Sequence, residues 1–148
     1  MADLEGPEQV KVVRYLEARD DLDAWLAVVN EGKRSKRTAM RYKRQGLRPG
    51  VWDLLILETT LGGLKGLAIE MKAPRHPSGR PRNDLTQTQR EWKARYTQAD
   101  FATAGPCHGA AEAIDAIDEH YGSSPRDRLN RAMILGDSPS TKRGGAHG

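Results

Sequence analysis

Residues 46–72, GLRPGVWDLLILETTLGGLKGLAIEMK, constrain the fold more than any other stretch of this chain. Two short apolar runs, 51–57 and 67–72, flank a connection rich in glycine. Runs of this length joined through glycines predict an antiparallel β-hairpin. The start of the first strand then lies beside the end of the second, which brings Asp53, Glu70 and Lys72 to one end of a small sheet. Glu70 and Lys72 are two residues apart and share a face, because strand side chains alternate. Leu55 and Leu57 share the face of Asp53, while Leu54 and Ile56 point the other way, so both faces are expected to be covered. The GGLKG segment lacks the spacing and the following Ser or Thr of a phosphate-binding P-loop, and it reads as the hairpin connection.

The rest of the chain supplies helices and two further strands. Pro7 suits the first turn of a helix over residues 7–19, and Glu8 suits its positive end. Val12, Tyr15 and Leu16 give that helix its packed side. Glu8 points the same way, so it either serves the helix dipole or reaches the site from a helix laid across the sheet. Residues 1–6 read as a frayed leader. The run 24–30, AWLAVVN, predicts a first strand buried on both faces, with Asn30 as turn chemistry or as a residue beside the site. Thr86 and Gln89 have the spacing of a capping box at the start of a helix reaching residue 98. Gln89 also shares a face with Leu85, Trp92 and Tyr96, so its amide points inward and must find partners there. A short strand over 101–104 and a helix over 110–121 follow, the latter striped by Ala113, Ile114 and Ile117. The expected domain is 1–122, followed over 123–148 by a polar, largely disordered tail with a small helix near 126–135.

Charge placement narrows the chemistry. The chain has 148 residues, 30% charged and 37% apolar, which suits one soluble domain. Its net charge of +4 is weakly informative, but residues 33–48 hold eight cations and no acid: Lys33, Arg34, Lys36, Arg37, Arg41, Lys43, Arg44 and Arg48. That density suits a phosphate backbone, and the segment immediately precedes the strand carrying Asp53. It is expected to be partly helical, with Gly46 as its stop. Arg75, Arg80 and Arg82 lie on a Pro/Gly-rich loop leaving the same site, which either clamps substrate backbone or only links strand to helix. The single cysteine, Cys107, excludes a disulfide framework and a multi-cysteine zinc site. The four histidines, His76, His108, His120 and His147, show no metal-ligand spacing. The acidic start is unlike a signal peptide, and no apolar run reaches the length of a membrane span. A cytoplasmic protein without a membrane partner is expected.

Two carboxylates and a lysine at one sheet end are the parts needed to hold a divalent cation over a phosphodiester. Asp53 and Glu70 would be side-chain ligands of Mg²⁺ or Mn²⁺, with the carbonyl of Met71 as a further oxygen. Lys72 would orient the attacking water and offset charge on the phosphate. The plain alternative is a salt bridge of Lys72 with either acid, and an E-x-K triplet alone is a weak signal.

Taken jointly, several segments resemble the virus-type replication-repair nuclease (VRR-NUC) branch of the PD-(D/E)XK phosphodiesterases. They are Glu8-Gln9, Val29-Asn30, residues 46–53, Ile69-Glu70-Met71-Lys72, and residues 85–89 followed by Trp92. The pattern spans residues 8–121. The resemblance implies a restriction-endonuclease-like α/β core, a small mixed sheet flanked by helices. It implies metal-dependent DNA cleavage with Asp53, Glu70 and Lys72 as the catalytic set, supported by Gln89 and, at the metal, Glu8. Small phage and bacterial members are dimers that act on branched DNA such as four-way junctions, which implies a homodimer in replication or repair. Trp52 stands where the family usually has proline, an indole placed to touch substrate or partner. A non-catalytic DNA-binding module on the same fold and a small restriction-type endonuclease are the rival readings.

Overall fold

The computed structural model describes residues 3–28 and 36–137. Helix α1 (Gly6–Ala18) begins with Pro7 in its first turn and buries Val12, Tyr15 and Leu16. Strand β1 (Trp25–Ala27) and a surface helix α2 (Lys36–Arg44) precede β2 (Leu54–Ile56) and β3 (Leu67–Lys72). Helix α3 (Gln87–Gln98), β4 (Ala102–His108), α4 (Ala110–Tyr121) and α5 (Pro125–Leu135) complete the described chain. The four strands form one mixed sheet in the order β1-β2-β3-β4.

The predicted hairpin is present. β2 and β3 pair antiparallel with Leu54 opposite Ile69 and Ile56 opposite Leu67. β4 runs parallel to β3, as a strand returning through helix α3 can. Alternation along β3 sorts its side chains into two cores. Leu67, Ile69 and Met71 join Leu54, Ile56, Val12, Leu16, Ile114 and Ile117 beneath α1 and α4. Ala68 faces the other way, packing with Trp52, Leu85 and Tyr96 beneath α3. Glu70 and Lys72 follow Ala68 on that second face, at the sheet end where Asp53 enters β2.

Four sequence expectations change. β1 is three residues long and lies at the sheet edge, with Leu26 42% exposed, not buried on both faces over 24–30. Among the described residues it pairs only with β2. The last strand runs to His108 rather than stopping near 104, because a bulge carries it past Gly105-Pro106: Ile69 pairs with Ala104, but Met71 with Cys107. Proline is tolerated in a strand at such a bulge. Gly105 fits there because a Cβ would meet the Trp52 ring at 2.8 Å and Glu70 Cβ at 3.0 Å.

The helical start is also earlier than a frayed leader allows. The Asp3 carboxylate accepts from the N–H groups of Glu5 and Gly6 and satisfies donors at the head of α1. Finally, residues 123–137 belong to the packed domain. α5 opens with a Ser124/Asp127 capping box and lies against α1. Arg19, 4% exposed, ties α1 to this region through Asp118 (3.1 Å), the Gly122 carbonyl (2.7 Å) and Asp127 (3.9 Å). The expected boundary at 122 therefore moves beyond α5.

Candidate active site

A cavity of about 310 Å³ opens at the end of the sheet, lined by Glu5, Gln9, Asp53, Glu70, Lys72 and Gln89 among others. Each side chain has an identifiable support. Asp53 precedes β2, and its Oδ2 accepts from the Met71 N–H at 2.8 Å, which locks it against β3. Glu70 is 4% exposed, and its Oε2 accepts from the Gln89 amide at 2.9 Å. Lys72 is 6% exposed, with Nζ 3.9 Å from the same Oε2. Gln89 does both jobs its position allowed: its Oε1 caps α3 by accepting from Thr86 N–H, and its Nε2 holds Glu70.

The electrostatics are those of a pair short of positive charge. Burial, then the neighbouring Asp53 charge, pushes Glu70 up to about 8; Lys72 only partly offsets them. Burial also raises Asp53, against the pull of the Met71 N–H. Glu70 Oε1 is buried with no hydrogen-bond donor, and its carboxylate neighbour can only repel it when both are ionised. An orphaned buried oxygen beside a second acid fits a hard divalent cation, whose charge reverses the local preference for protonation. No cluster of three or more His, Cys, Asp or Glu with metal-binding geometry occurs among the described residues, so such a cation would rest on two acids plus carbonyl oxygen and water.

The structure brings Asp53, Glu70, Met71, Lys72 and Gln89 together, but not Glu8. One Glu8 oxygen accepts from the Ala110 N–H at 3.0 Å and the other from Lys11 at 2.8 Å. Glu8 thus caps the start of α4, where a carboxylate offsets free N–H groups and the helix dipole. The acids of this segment that reach the cavity are Glu5, about one turn earlier, and Asp3. Burial raises Glu5, while the nearby Lys72 charge opposes that shift. Sequence reasoning missed Glu5; the signal was Asp3 two residues ahead of it, a side chain able to start the helix early. Trp52 touches neither substrate nor partner from the surface. It is fully buried, donates its indole N–H to the Gln89 carbonyl at 2.9 Å, and packs edge-on to Tyr96.

The basic residues divide. Lys36, Arg37, Arg41, Lys43 and Arg44 lie on α2, which buries none of its residues. A hollow of about 610 Å³ runs along this helix, lined by Arg37, Arg41 and Arg44 without an acid, so it lies apart from the acid–base chemistry. Arg75 is held by Glu112 at 2.8 Å, which offsets its charge. Arg80 and Arg82 are exposed and bond to Ser78 and the Pro74 carbonyl. Lys33, Arg34 and Asn30 lie outside the described residues.

A four-stranded mixed sheet flanked by helices, with an acid before the second strand and E-x-K closing the third, has the architecture of the PD-(D/E)XK fold class. Within that class the chain has a VRR-NUC-like fold. It is similar to a solved structure described as a "VRR_NUC domain protein", with a TM-score of 0.63 at 19% identity, over 81% of this chain and 89% of that one. No family model matches the sequence, and neither does any curated protein.

Proposed function

We propose that this chain is a divalent-metal-dependent nuclease that hydrolyses DNA phosphodiester bonds at Asp53, Glu70 and Lys72. One observation carries it: two buried carboxyls share a cavity, and one of them keeps an oxygen with no donor. A purely structural site gains little from two adjacent buried acids, because burial and mutual repulsion oppose ionising both. The structural neighbour, described as a VRR_NUC domain protein, supports the same reading.

Asp53, Glu70 and the carbonyl of Met71 would hold Mg²⁺ or Mn²⁺, with Glu5 the next acid at the rim. Such a cation, when bound, neutralises the acid pair, polarises the phosphate and acidifies water. The chain's own groups do the rest. The Gln89 amide and the Met71 N–H each engage one oxygen of Glu70 and Asp53 and fix the two carboxylates in place. Lys72 projects from the same strand face as Glu70, orients the attacking water and offsets charge developing on the phosphate. The exposed cations of α2 attract the DNA backbone without regard to sequence. A homodimer acting on branched DNA in phage or bacterial replication or repair is the finer form of this proposal.

Asp53→Asn tests it. The wild-type protein should cut DNA from a panel of linear, nicked, flapped and four-way-junction substrates with Mg²⁺ or Mn²⁺, and not with chelator. The variant should retain binding and lose cleavage. Undiminished cleavage by Asp53→Asn would refute the site, and binding without cleavage by the wild type on every substrate would favour a non-catalytic module.

A further inference from the structure

Trp92, on the helix that carries Gln89, gathers two arginines. The guanidinium of Arg48 lies 4.8 Å from the centroid of its indole and that of Arg95 lies 4.9 Å away. Some arginines of the described surface answer an acid, as Arg75 does Glu112, Arg90 Asp84, Arg126 Asp20, and Arg131 Asp115 and Asp118, while Arg80 and Arg82 bond only to Ser78 and the Pro74 carbonyl. Arg48 and Arg95 have no carboxylate partner among the described residues. The ring attracts both cations but neutralises neither. Two unneutralised guanidinium groups sharing one ring repel each other, and an anion between or beside them relieves that repulsion.

The support is rigid. The Trp92 indole N–H donates to the Pro49 carbonyl at 3.0 Å, and its ring packs 5.6 Å from Tyr96 in the core beneath α3. The backbone leading from Arg48 is pressed onto the same helix: Gly50 has φ +81°, and a Cβ there would meet Thr88 at 2.7 Å. With both guanidinium groups stacked on it, the indole serves as their holder and not as a platform for a base. Guanidinium is also the cation best matched to phosphate oxygens, which it binds through two parallel N–H groups.

The position relative to the acids is set by α3. Trp92 follows Gln89, which holds Glu70, by three residues, a rise of about 4.5 Å along the helix. A DNA strand advances about 3.4 Å along its axis per nucleotide, so a strand laid over Asp53 and Glu70 and following α3 would meet the arginine pair within a few nucleotides. We propose that Arg48, Arg95 and Trp92 form a clamp for a phosphodiester flanking the cleaved bond, with Trp92 as the positioning residue. This rests on the nuclease reading only for the path of the strand; the clamp itself is a phosphate site.

The test uses the full chain with Arg48→Gln/Arg95→Gln, each single Gln variant, and Arg48→Lys/Arg95→Lys. Anisotropy titrations of a labelled DNA duplex, run with chelator over about 50–200 mM salt, give the slope of log affinity against log salt. The Gln pair should reduce that slope by about 0.9, the contribution of the one phosphate it ceases to neutralise, and each single by no more than that. The Lys pair should keep the slope, which a merely structural role would not require. With Mg²⁺, the Gln pair should raise KM and leave kcat near wild type. A wild-type slope in a folded Gln pair, while the wild-type protein cuts DNA, would overturn the clamp and leave the nuclease reading standing. A reduced slope in the Gln pair, from a wild type that cuts nothing, would support the clamp and remove the nuclease reading.

Discussion

Replacing Glu70 with glutamine removes one of two charges that burial and mutual repulsion oppose. Without metal, the Glu70 carboxyl is raised from 4.5 to about 8. Each unit is about 1.4 kcal/mol, so ionising it costs the folded state on the order of 5 kcal/mol at most. Water entering the open cavity and side-chain relaxation bring the recoverable part to ~2 kcal/mol. The folded-state value lies above the unfolded one. The penalty is therefore absent below the unfolded value of 4.5, grows as pH rises, and is complete above about 8. A glutamine at 70 can still accept from Gln89, and its amide N–H can donate to Asp53. Calorimetric melts in chelator should give Glu70→Gln a higher Tm than wild type at alkaline pH, by roughly 4–8 °C at ~2 kcal/mol. The difference should vanish near pH 4.5. Adding Mn²⁺ at alkaline pH should raise the wild-type Tm and move that of the variant little, since a ligand of the folded state stabilises it by mass action. A variant no more stable than wild type at alkaline pH, or a difference independent of pH, would refute the repelling-pair account.

Other substitutions separate the roles of neighbouring residues. Replacing Lys36, Arg37, Arg41, Lys43 and Arg44 together with glutamine should lower the salt slope of DNA binding by about 0.9 for each phosphate no longer neutralised, with an unchanged Tm because α2 buries no residue; an unchanged slope would remove α2 from the interface. Trp52→Ala should cost about 3–5 kcal/mol in urea denaturation, as befits a fully buried indole, and a destabilisation under about 1 kcal/mol would contradict its place in the core. Gln89→Ala should cost about 1 kcal/mol through the missing cap and lower kcat with DNA affinity retained, because it frees the Glu70 carboxylate; unaltered kcat would make Gln89 a cap only.

The hairpin and the placement of its polar side chains were legible because strand alternation is a local rule. Once residues 51–57 and 67–72 pair, Glu70 and Lys72 must share a face and Asp53 must lie at their end. Gln89 was legible for a related reason, since a capping box and a helix face are both matters of short spacing. What escaped depends on where an element sits in space. The run 24–30 has the composition of a buried strand, yet β1 lies at the edge, because composition does not say which strand ends the sheet. Periodicity puts Glu8 on the correct side of α1, but only the tertiary approach of α4 shows that the Ala110 N–H takes it and that Glu5 faces the cavity. Gly105-Pro106 reads as a strand stop until the bulge against β3 is known. The small helix after 122 was legible from its apolar side, but its docking was not, since that depends on the buried Arg19 far away in the sequence.

The central claim is that Asp53 and Glu70 share one divalent cation, and anomalous diffraction from crystals soaked in Mn²⁺ tests it most directly. The account predicts a manganese peak within about 2.5 Å of oxygens from both acids, absent in Asp53→Asn crystals. A cleaving enzyme whose manganese lies elsewhere, or whose acid pair stays metal-free at saturating Mn²⁺, would contradict it.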